Sequence, residues 1–128
     1  MTPNDYVYFD YYQSADKKQE PMAMGSCITV EKVYNFEPVA DELADEEKKH
    51  ILGAQANVWT EYIGTPEHVE YMMVPRMAAL AEVQWMMPEK KSYQGFLNRL
   101  GSLAEFYKRD NVNYAKHILP EVVPAQTK

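Results

Sequence analysis

The chain has 128 residues, of which 46% are hydrophobic and 12% aromatic, enough for one modest hydrophobic core and unlike a disordered chain. Its 13 basic and 19 acidic residues give a formal net charge of -6, which repels nucleic acid phosphates and anionic lipids. The composition therefore argues against nucleic acid and membrane surfaces as partners, and no apolar run is long enough to form a membrane span.

The single cysteine, Cys27, excludes an intrachain disulfide and leaves the compartment open. We expect Cys27 to be a buried apolar side chain, because no histidine lies near it in the sequence. The three histidines lack metal-ligand spacing, and the sequence has neither a Gly-rich phosphate loop nor a nucleophile-elbow serine. No metal site and no cofactor are predicted.

Residues 5–13, DYVYFDYYQ, are dense in aromatic and β-branched side chains and predict a first strand. The period of two places one set of side chains on a common face and a second set on the opposite face. The first set is Tyr6, Tyr8, Asp10 and Tyr12, and the second is Val7, Phe9 and Tyr11.

Residues 14–42 are rich in charge and punctuated by proline and glycine, with only a weak strand pattern at 27–33. We predict a long surface loop, of the kind that often borders a functional site. Residues 41–50, DELADEEKKH, predict a short solvated helix with acids first and bases last.

Residues 51–61, ILGAQANVWTE, predict a second strand with the same layout as the first. Alternation places Gln55, Asn57, Trp59 and Glu61 on one face and Ala54, Ala56 and Val58 on the other. Both predicted strands thus end in an aromatic residue and a carboxylate.

Three helical segments follow the second strand. Thr65 as N-cap and Pro66 at the first helical position predict a helix that ends at Pro75. Residues 76–87, RMAALAEVQWMM, predict a second helix, apolar on most sides and buried, and residues 93–109 predict a third with one apolar stripe. The tail past Asp110, with Pro120 and Pro124, is expected to be irregular.

A strand, a long connection, a strand and helices form the pattern of α/β folds, in which ligands bind at the carboxyl ends of parallel strands. An aromatic ring can stack on the apolar face of a sugar while a carboxylate accepts its hydroxyl protons, so Tyr8 with Asp10 and Trp59 with Glu61 suit a carbohydrate. Two other interpretations remain at this point. Asp10 and Glu61 could be the acid and nucleophile of a glycosidase, or ordinary acids at two amphipathic strand ends.

Three ordered motifs carry a resemblance to a known family. Residues 7–13 (VYFDYYQ), 51–61 (ILGAQANVWTE) and 74–85 (VPRMAALAEVQW) closely resemble the last two barrel strands and the last helix of the β-N-acetylhexosaminidases, glycoside hydrolase family 20. The resemblance implies the α/β class and, more narrowly, the C-terminal fraction of a (β/α)8 barrel, with residues 1–128 forming a domain that is incomplete at its N-terminus.

The resemblance also implies the chemistry. Such enzymes remove terminal, non-reducing β-linked N-acetylglucosamine or N-acetylgalactosamine, and the acetamido oxygen of the substrate attacks its own anomeric carbon. Tyr8 would donate a hydrogen bond to that oxygen, Asp10 and Glu61 would hold sugar hydroxyls, and Trp59 would form a pocket wall. This implication argues against a catalytic pair made of Asp10 and Glu61.

The family's adjacent Asp-Glu pair, which orients the acetamide and protonates the leaving group, belongs to an earlier strand that this sequence does not contain. Asp45-Glu46 lies in a charged loop or helix, not at a strand end, and is not that pair. The chain alone is therefore expected to be inactive, and its partners are expected to be N-acetylhexosamine-containing glycans and the remainder of the barrel or further copies of itself. By resemblance the parent protein would be periplasmic or secreted.

Two functions from other classes remain as alternatives. One is a non-catalytic carbohydrate-binding module, and the other is a helical protein-interaction domain that presents residues 76–87.

Overall fold

The computed structural model describes residues 1–119. Its helices are α1 (Asn4–Val7), α2 (Val30–Tyr34), α3 (Asp45–Lys48), α4 (Pro66–Met73), α5 (Arg76–Trp85) and α6 (Tyr93–Arg109). The strands β1 (Tyr11–Tyr12) and β2 (Met24–Cys27) pair in parallel, and 3-10 turns occupy Lys17–Gln19, Pro88–Lys90 and Lys116–Ile118. The chain thus combines helices with parallel β-structure, as the α/β prediction requires.

The first predicted strand is wrong in its first half. Residues 4–7 form helix α1, in which the backbone N–H groups of Tyr6 and Val7 both donate to the carbonyl of Pro3, at 3.2 and 3.1 Å. This local turn satisfies the donors that a strand would offer to a neighbour. After α1 the chain bridges to Asn57 at Tyr8, and Val7 and Phe9, which were predicted to share a face, are both fully buried.

The second predicted strand, residues 51–61, is not a regular strand. It lies extended beside residues 5–13, which we call the first segment. There the N–H of Phe9 donates to Asn57 O at 2.8 Å and the N–H of Asn57 donates to Val7 O at 2.9 Å. Tyr8 and Asn57 form an isolated parallel bridge. Within residues 1–119 the segment pairs in this way on one side only, and a parallel pair without further strands is marginal.

The prediction of a surface loop over residues 14–42 is also wrong. This region contains strand β2, which is mostly exposed, and helix α2, whose Val30, Val33 and Tyr34 are buried in the core. The hydroxyl of Thr29 accepts from the backbone N–H of Lys32 at 3.1 Å and begins α2. The signal was present in the sequence as an N-cap followed by apolar residues at helical spacing, but surrounding charge and proline concealed it.

The helix predictions are largely confirmed. Thr65 accepts from the backbone N–H of His68 at 3.2 Å and begins α4 with Pro66 at its first position, and Pro75 separates α4 from α5. Helix α6 has the predicted bounds, and α3 is exposed but shorter than predicted. The expected irregular tail contains a 3-10 turn at Lys116–Ile118, and Pro120 and Pro124 lie outside the described residues.

Helices α2, α5 and α6 pack together over the first segment and form the main core. Its largest members are Phe9, Ile28, Tyr34, Leu80, Phe96 and Leu100. The hydroxyl of Tyr34 donates to Glu82 on α5 at 2.9 Å and accepts from the N–H of Ser92 at 3.0 Å, so it ties the start of α6 to α5. This core thus holds the first segment in place, and the candidate site lies at the carboxyl end of that segment.

Helix α5 is less buried than predicted. Arg76, Ala79, Leu80 and Val83 face the core, but Trp85 is 90% exposed and Met77 is exposed. Within residues 1–119 no helix is both long enough and apolar enough to cross a membrane.

We predict that Thr65→Ala lowers the free energy of unfolding by about 1 kcal/mol, because it removes the acceptor for an N–H group at the start of α4. Urea unfolding measures the change. Thr60→Ala, at an exposed position outside the helices, is the control and should leave stability nearly unchanged. Equal effects of the two substitutions would contradict the capping role of Thr65.

Candidate functional site

The ends of the two extended segments border an open cavity of about 400 Å³. The residues that line it are Tyr8, Asp10, Tyr11, Met24, Trp59 and Glu61. All four residues that the sequence predicted for a site are therefore brought together, although they lie as much as 53 positions apart in the sequence. The cavity is the candidate functional site.

The parallel bridge between Tyr8 and Asn57 explains why these residues meet. Parallel segments run in the same direction, so residues two positions beyond the bridge, Asp10 and Trp59, lie beside each other. The backbone N–H of Trp59 is close enough to the Asp10 carboxylate to lower the pKa of its carboxyl, as expected of neighbouring residues at the cavity. One register thus positions both predicted aromatic and carboxylate pairs.

Asp10 is a nearly buried carboxylate, with 5% of its surface exposed. Burial raises the pKa of its carboxyl above the ordinary value, and the neighbouring Glu61 carboxylate adds to the rise. The nearby backbone N–H groups of Asp10 and Trp59, and the positive charge of Arg76, lower the same pKa. The Oδ1 atom is buried and has no hydrogen-bond partner among the described residues, so it is available to a ligand donor.

Trp59 and Glu61 form the more open side of the cavity. The Trp59 side chain is 53% exposed, which leaves ring surface free for stacking, and Glu61 is exposed beside it. Tyr8 is half-buried opposite them, with its ring centroid 6.0 Å from that of Tyr11. An aromatic platform, two carboxylates and a phenol hydroxyl together suit a ligand with an apolar face and several hydroxyl groups.

The sequence reasoning missed Tyr11 and Met24 as lining residues. Tyr11 was predicted on the opposite face, but its N–H donates to Tyr8 O at 3.3 Å and closes a turn that interrupts the alternation. Met24 comes from β2, whose pairing with β1 was not predicted, and its N–H donates to Asp10 O at 2.9 Å. No sequence signal marked Met24 as a lining residue. Tyr11 carries the same phenol side chain as Tyr8, and this was the one signal that could have pointed to it.

The other acidic dipeptide lies elsewhere. Asp45 and Glu46 belong to helix α3, where both are exposed, and neither lines the cavity. Cys27 is half-buried, and burial raises the pKa of its thiol. Residues 1–119 contain no group of three His, Cys, Asp or Glu side chains placed to share a metal ion.

Comparisons with known proteins identify the family. Residues 1–88 match the catalytic domain of glycosyl hydrolase family 20. The chain belongs to this family. It is also 39% identical over 123 residues to a β-hexosaminidase of Porphyromonas gingivalis, covering 94% of this chain and 15% of that protein. The family resemblance inferred from the three motifs is confirmed.

More distant members of family 20 agree. A β-N-acetylhexosaminidase of Cellulomonas fimi is 28% identical over 122 residues, covering 95% of this chain and 24% of that protein. The structure of an exo-β-N-acetylglucosaminidase of Vibrio harveyi, in complex with N-acetylglucosamine, superposes with a TM-score of 0.75 and 29% identity over 89% of this chain and 18% of that chain. This chain therefore spans less than a quarter of the length of these family 20 proteins.

The fold alone is also shared with a β-N-acetylhexosaminidase of Streptomyces coelicolor, at a TM-score of 0.80 and 22% identity over 93% of this chain and 24% of that chain. Because family 20 catalytic domains are (β/α)8 barrels, the described residues correspond to part of such a barrel.

The raised pKa of Asp10 predicts a pH-dependent effect of Asp10→Asn on stability. A carboxyl that ionises less readily in the folded state stabilises the fold most when protonated, and this contribution is lost as the pH rises through the folded-state pKa. The melting temperature of Asp10→Asn minus that of the wild type should therefore increase between about pH 3 and about pH 7.

Thermal unfolding across this pH range tests the prediction, and Asp41→Asn, at an exposed position, is the control. A difference that stays constant or decreases with pH would contradict the electrostatic description of Asp10.

Proposed function

We propose that this chain forms the sugar-binding side of the active site of a β-N-acetylhexosaminidase, which removes terminal, non-reducing β-linked N-acetylhexosamine. The observation that carries the proposal is the cavity where Tyr8, Asp10, Trp59 and Glu61 meet. Membership of family 20 supports the class of reaction, and the related Vibrio harveyi enzyme has been solved with N-acetylglucosamine.

The proposed contacts follow from the chemistry of each side chain. The half-exposed ring of Trp59 stacks on the apolar face of the sugar or its acetamido group. The unpartnered Oδ1 atom of Asp10 and the carboxylate of Glu61 accept hydrogen bonds from sugar hydroxyls. Because carboxylate acceptors are charged, these hydrogen bonds are stronger than neutral ones.

Tyr8 has the role closest to the reaction. In substrate-assisted hydrolysis the acetamido oxygen attacks the anomeric carbon as the bond to the leaving-group oxygen breaks, and that oxygen takes a proton from an acid. We assign to the Tyr8 hydroxyl a hydrogen bond to the acetamido oxygen, which holds it in line for attack. No general acid is assigned to this chain, because in this proposal the acid belongs to the Asp-Glu pair of an earlier strand.

The chain corresponds in this proposal to the C-terminal fraction of the barrel. The match of residues 1–88 to the catalytic domain and the parallel arrangement of the two segments support this position. The exposed location of Asp45 and Glu46 on α3 supports their exclusion as the acid and base. The 128-residue chain is therefore proposed to be inactive alone.

The remainder of the barrel is the proposed partner of the exposed face of α5. An apolar groove of about 390 Å³ lies between α5 and α6 and is lined by Ala78, Ala81, Trp85, Leu100 and Leu103, among others. Each helix of a (β/α)8 barrel packs between neighbouring helices, and α5 has α2 on one side. A helix of the missing barrel segment would cover the 90% exposed Trp85.

The first test is hydrolysis of a chromogenic N-acetyl-β-glucosaminide by the 128-residue chain and by the longest natural chain that contains it. We predict hydrolysis by the longer chain and none by the 128-residue chain. Activity of the short chain that Asp10→Asn or Glu61→Gln abolishes would contradict the assignment, because this chain would then contain its own acid and base. Sugar binding by both without any hydrolysis would favour a carbohydrate-binding module.

The second test compares the two tryptophans. We predict that Trp59→Ala in the longer chain weakens binding of N-acetylglucosamine about tenfold, or ~1.4 kcal/mol, because it removes the stacking surface. Trp85→Ala, which removes a ring outside the cavity at the proposed contact with the rest of the barrel, is the matched control and should leave the affinity unchanged when binding is measured below the melting transition. Isothermal titration calorimetry measures both. Equal affinities of Trp59→Ala and wild type would exclude Trp59 from the sugar site and favour a protein-interaction domain.

A further inference from the structure

Arg76 is a fully buried arginine whose hydrogen bonds all go to backbone carbonyls. Its Nη2 atom donates to Phe9 O at 2.6 Å, and its Nη1 atom donates to Tyr11 O at 2.9 Å and Ile28 O at 3.2 Å. Its Nε atom donates to Met72 O at 3.1 Å. We call this set of hydrogen bonds the Arg76 clamp.

The clamp holds the chain on both sides of Asp10. Phe9 O and Tyr11 O belong to the residues immediately before and after Asp10, and both bind the same guanidinium group. The remaining nearby carbonyl, Asp10 O, accepts from the N–H of Met24 at 2.9 Å. The peptide groups around Asp10 are therefore fixed, which fixes the direction of its side chain toward the cavity.

The guanidinium also supplies a positive charge near the site. Among residues 1–119 no carboxylate forms a salt bridge with Arg76, so its charge is not neutralised by direct contact. Burial lowers the pKa of Arg76 to about 9, and the more distant Glu20 and Asp10 carboxylates raise it. The planar group can serve several carbonyls at once, which a lysine ammonium on a flexible stem cannot do in the same geometry.

We propose that Arg76 is a positioning residue for substrate binding, acting through Asp10 although it does not line the cavity itself. This inference rests on the proposed function, because it takes Asp10 as an acceptor for a sugar hydroxyl. It adds a specific cause for the placement of that acceptor, the hydrogen bonds of one guanidinium to Phe9 O and Tyr11 O.

The test is a double-mutant cycle with Arg76→Lys and Asp10→Asn in the full chain, with binding of N-acetylglucosamine as the readout. We expect Arg76→Lys to weaken binding roughly tenfold when Asp10 is present, and to change it little in the Asp10→Asn background. Met72→Ala, which truncates a buried side chain but keeps the carbonyl that Arg76 binds, is the control for general destabilisation. It should lower the melting temperature and leave the affinity unchanged when binding is measured below the transition.

Equal weakening of binding by Arg76→Lys in both backgrounds, or by Met72→Ala, would overturn the proposal, because the effect would then be structural and independent of Asp10. Two measurements without sugar keep it testable if Arg76→Lys fails to fold or the wild type binds no sugar. In the wild type, the guanidinium protons of Arg76 should exchange slowly with water and show NMR couplings to the carbonyl carbons of Phe9 and Tyr11. Fast exchange without these couplings would overturn the clamp, whereas their presence without sugar binding would leave the clamp in place and overturn only the proposed function.

Discussion

The guanidinium of Arg76 joins parts of the chain that lie far apart in the sequence. It binds carbonyls of the first extended segment, of the residue after β2 and of the end of α4, while its own backbone begins α5. A buried arginine is costly unless its donors are satisfied, and here backbone oxygens satisfy them. Strands β1 and β2 are short and provide few hydrogen bonds to each other. The hydrogen bonds of Arg76 therefore add to those that hold the first segment in place.

The site depends on this local order and on one parallel register. The bridge between Tyr8 and Asn57 places Asp10 next to Trp59, and the core side chains Val7 and Phe9 anchor the other face of the same segment. A slip of one residue would direct Asp10 into the core and Phe9 into the cavity. The geometry therefore brings together the four residues that sequence periodicity and motif resemblance had selected independently of any contact.

Sequence patterns predicted the helices, and which four residues meet at the cavity, better than they predicted the β-structure. Thr65, Pro66 and Pro75 act within a few residues, so local chemistry determined where α4 begins and ends. The bounds of the strands depended instead on which segments pair, and neither β2 nor the turn at Tyr11 left a strong local signal. No local pattern marked the acceptors of the Arg76 clamp, because they lie as much as 67 positions away in the sequence.

The measurement that tests the central claim most directly is a pair of NMR titrations of the 15N-labelled chain, one with N-acetylglucosamine and one with glucose at the same millimolar concentration. The indole of Trp59 reports on the cavity and that of Trp85 on the α5/α6 groove. Since the Tyr8 hydroxyl is assigned to the acetamido oxygen, N-acetylglucosamine should shift the Trp59 resonance while glucose leaves it nearly unchanged, and neither sugar should shift Trp85. Equal responses of Trp59 to both sugars, no response to either, or a response confined to Trp85 would contradict an N-acetylhexosamine site in this cavity.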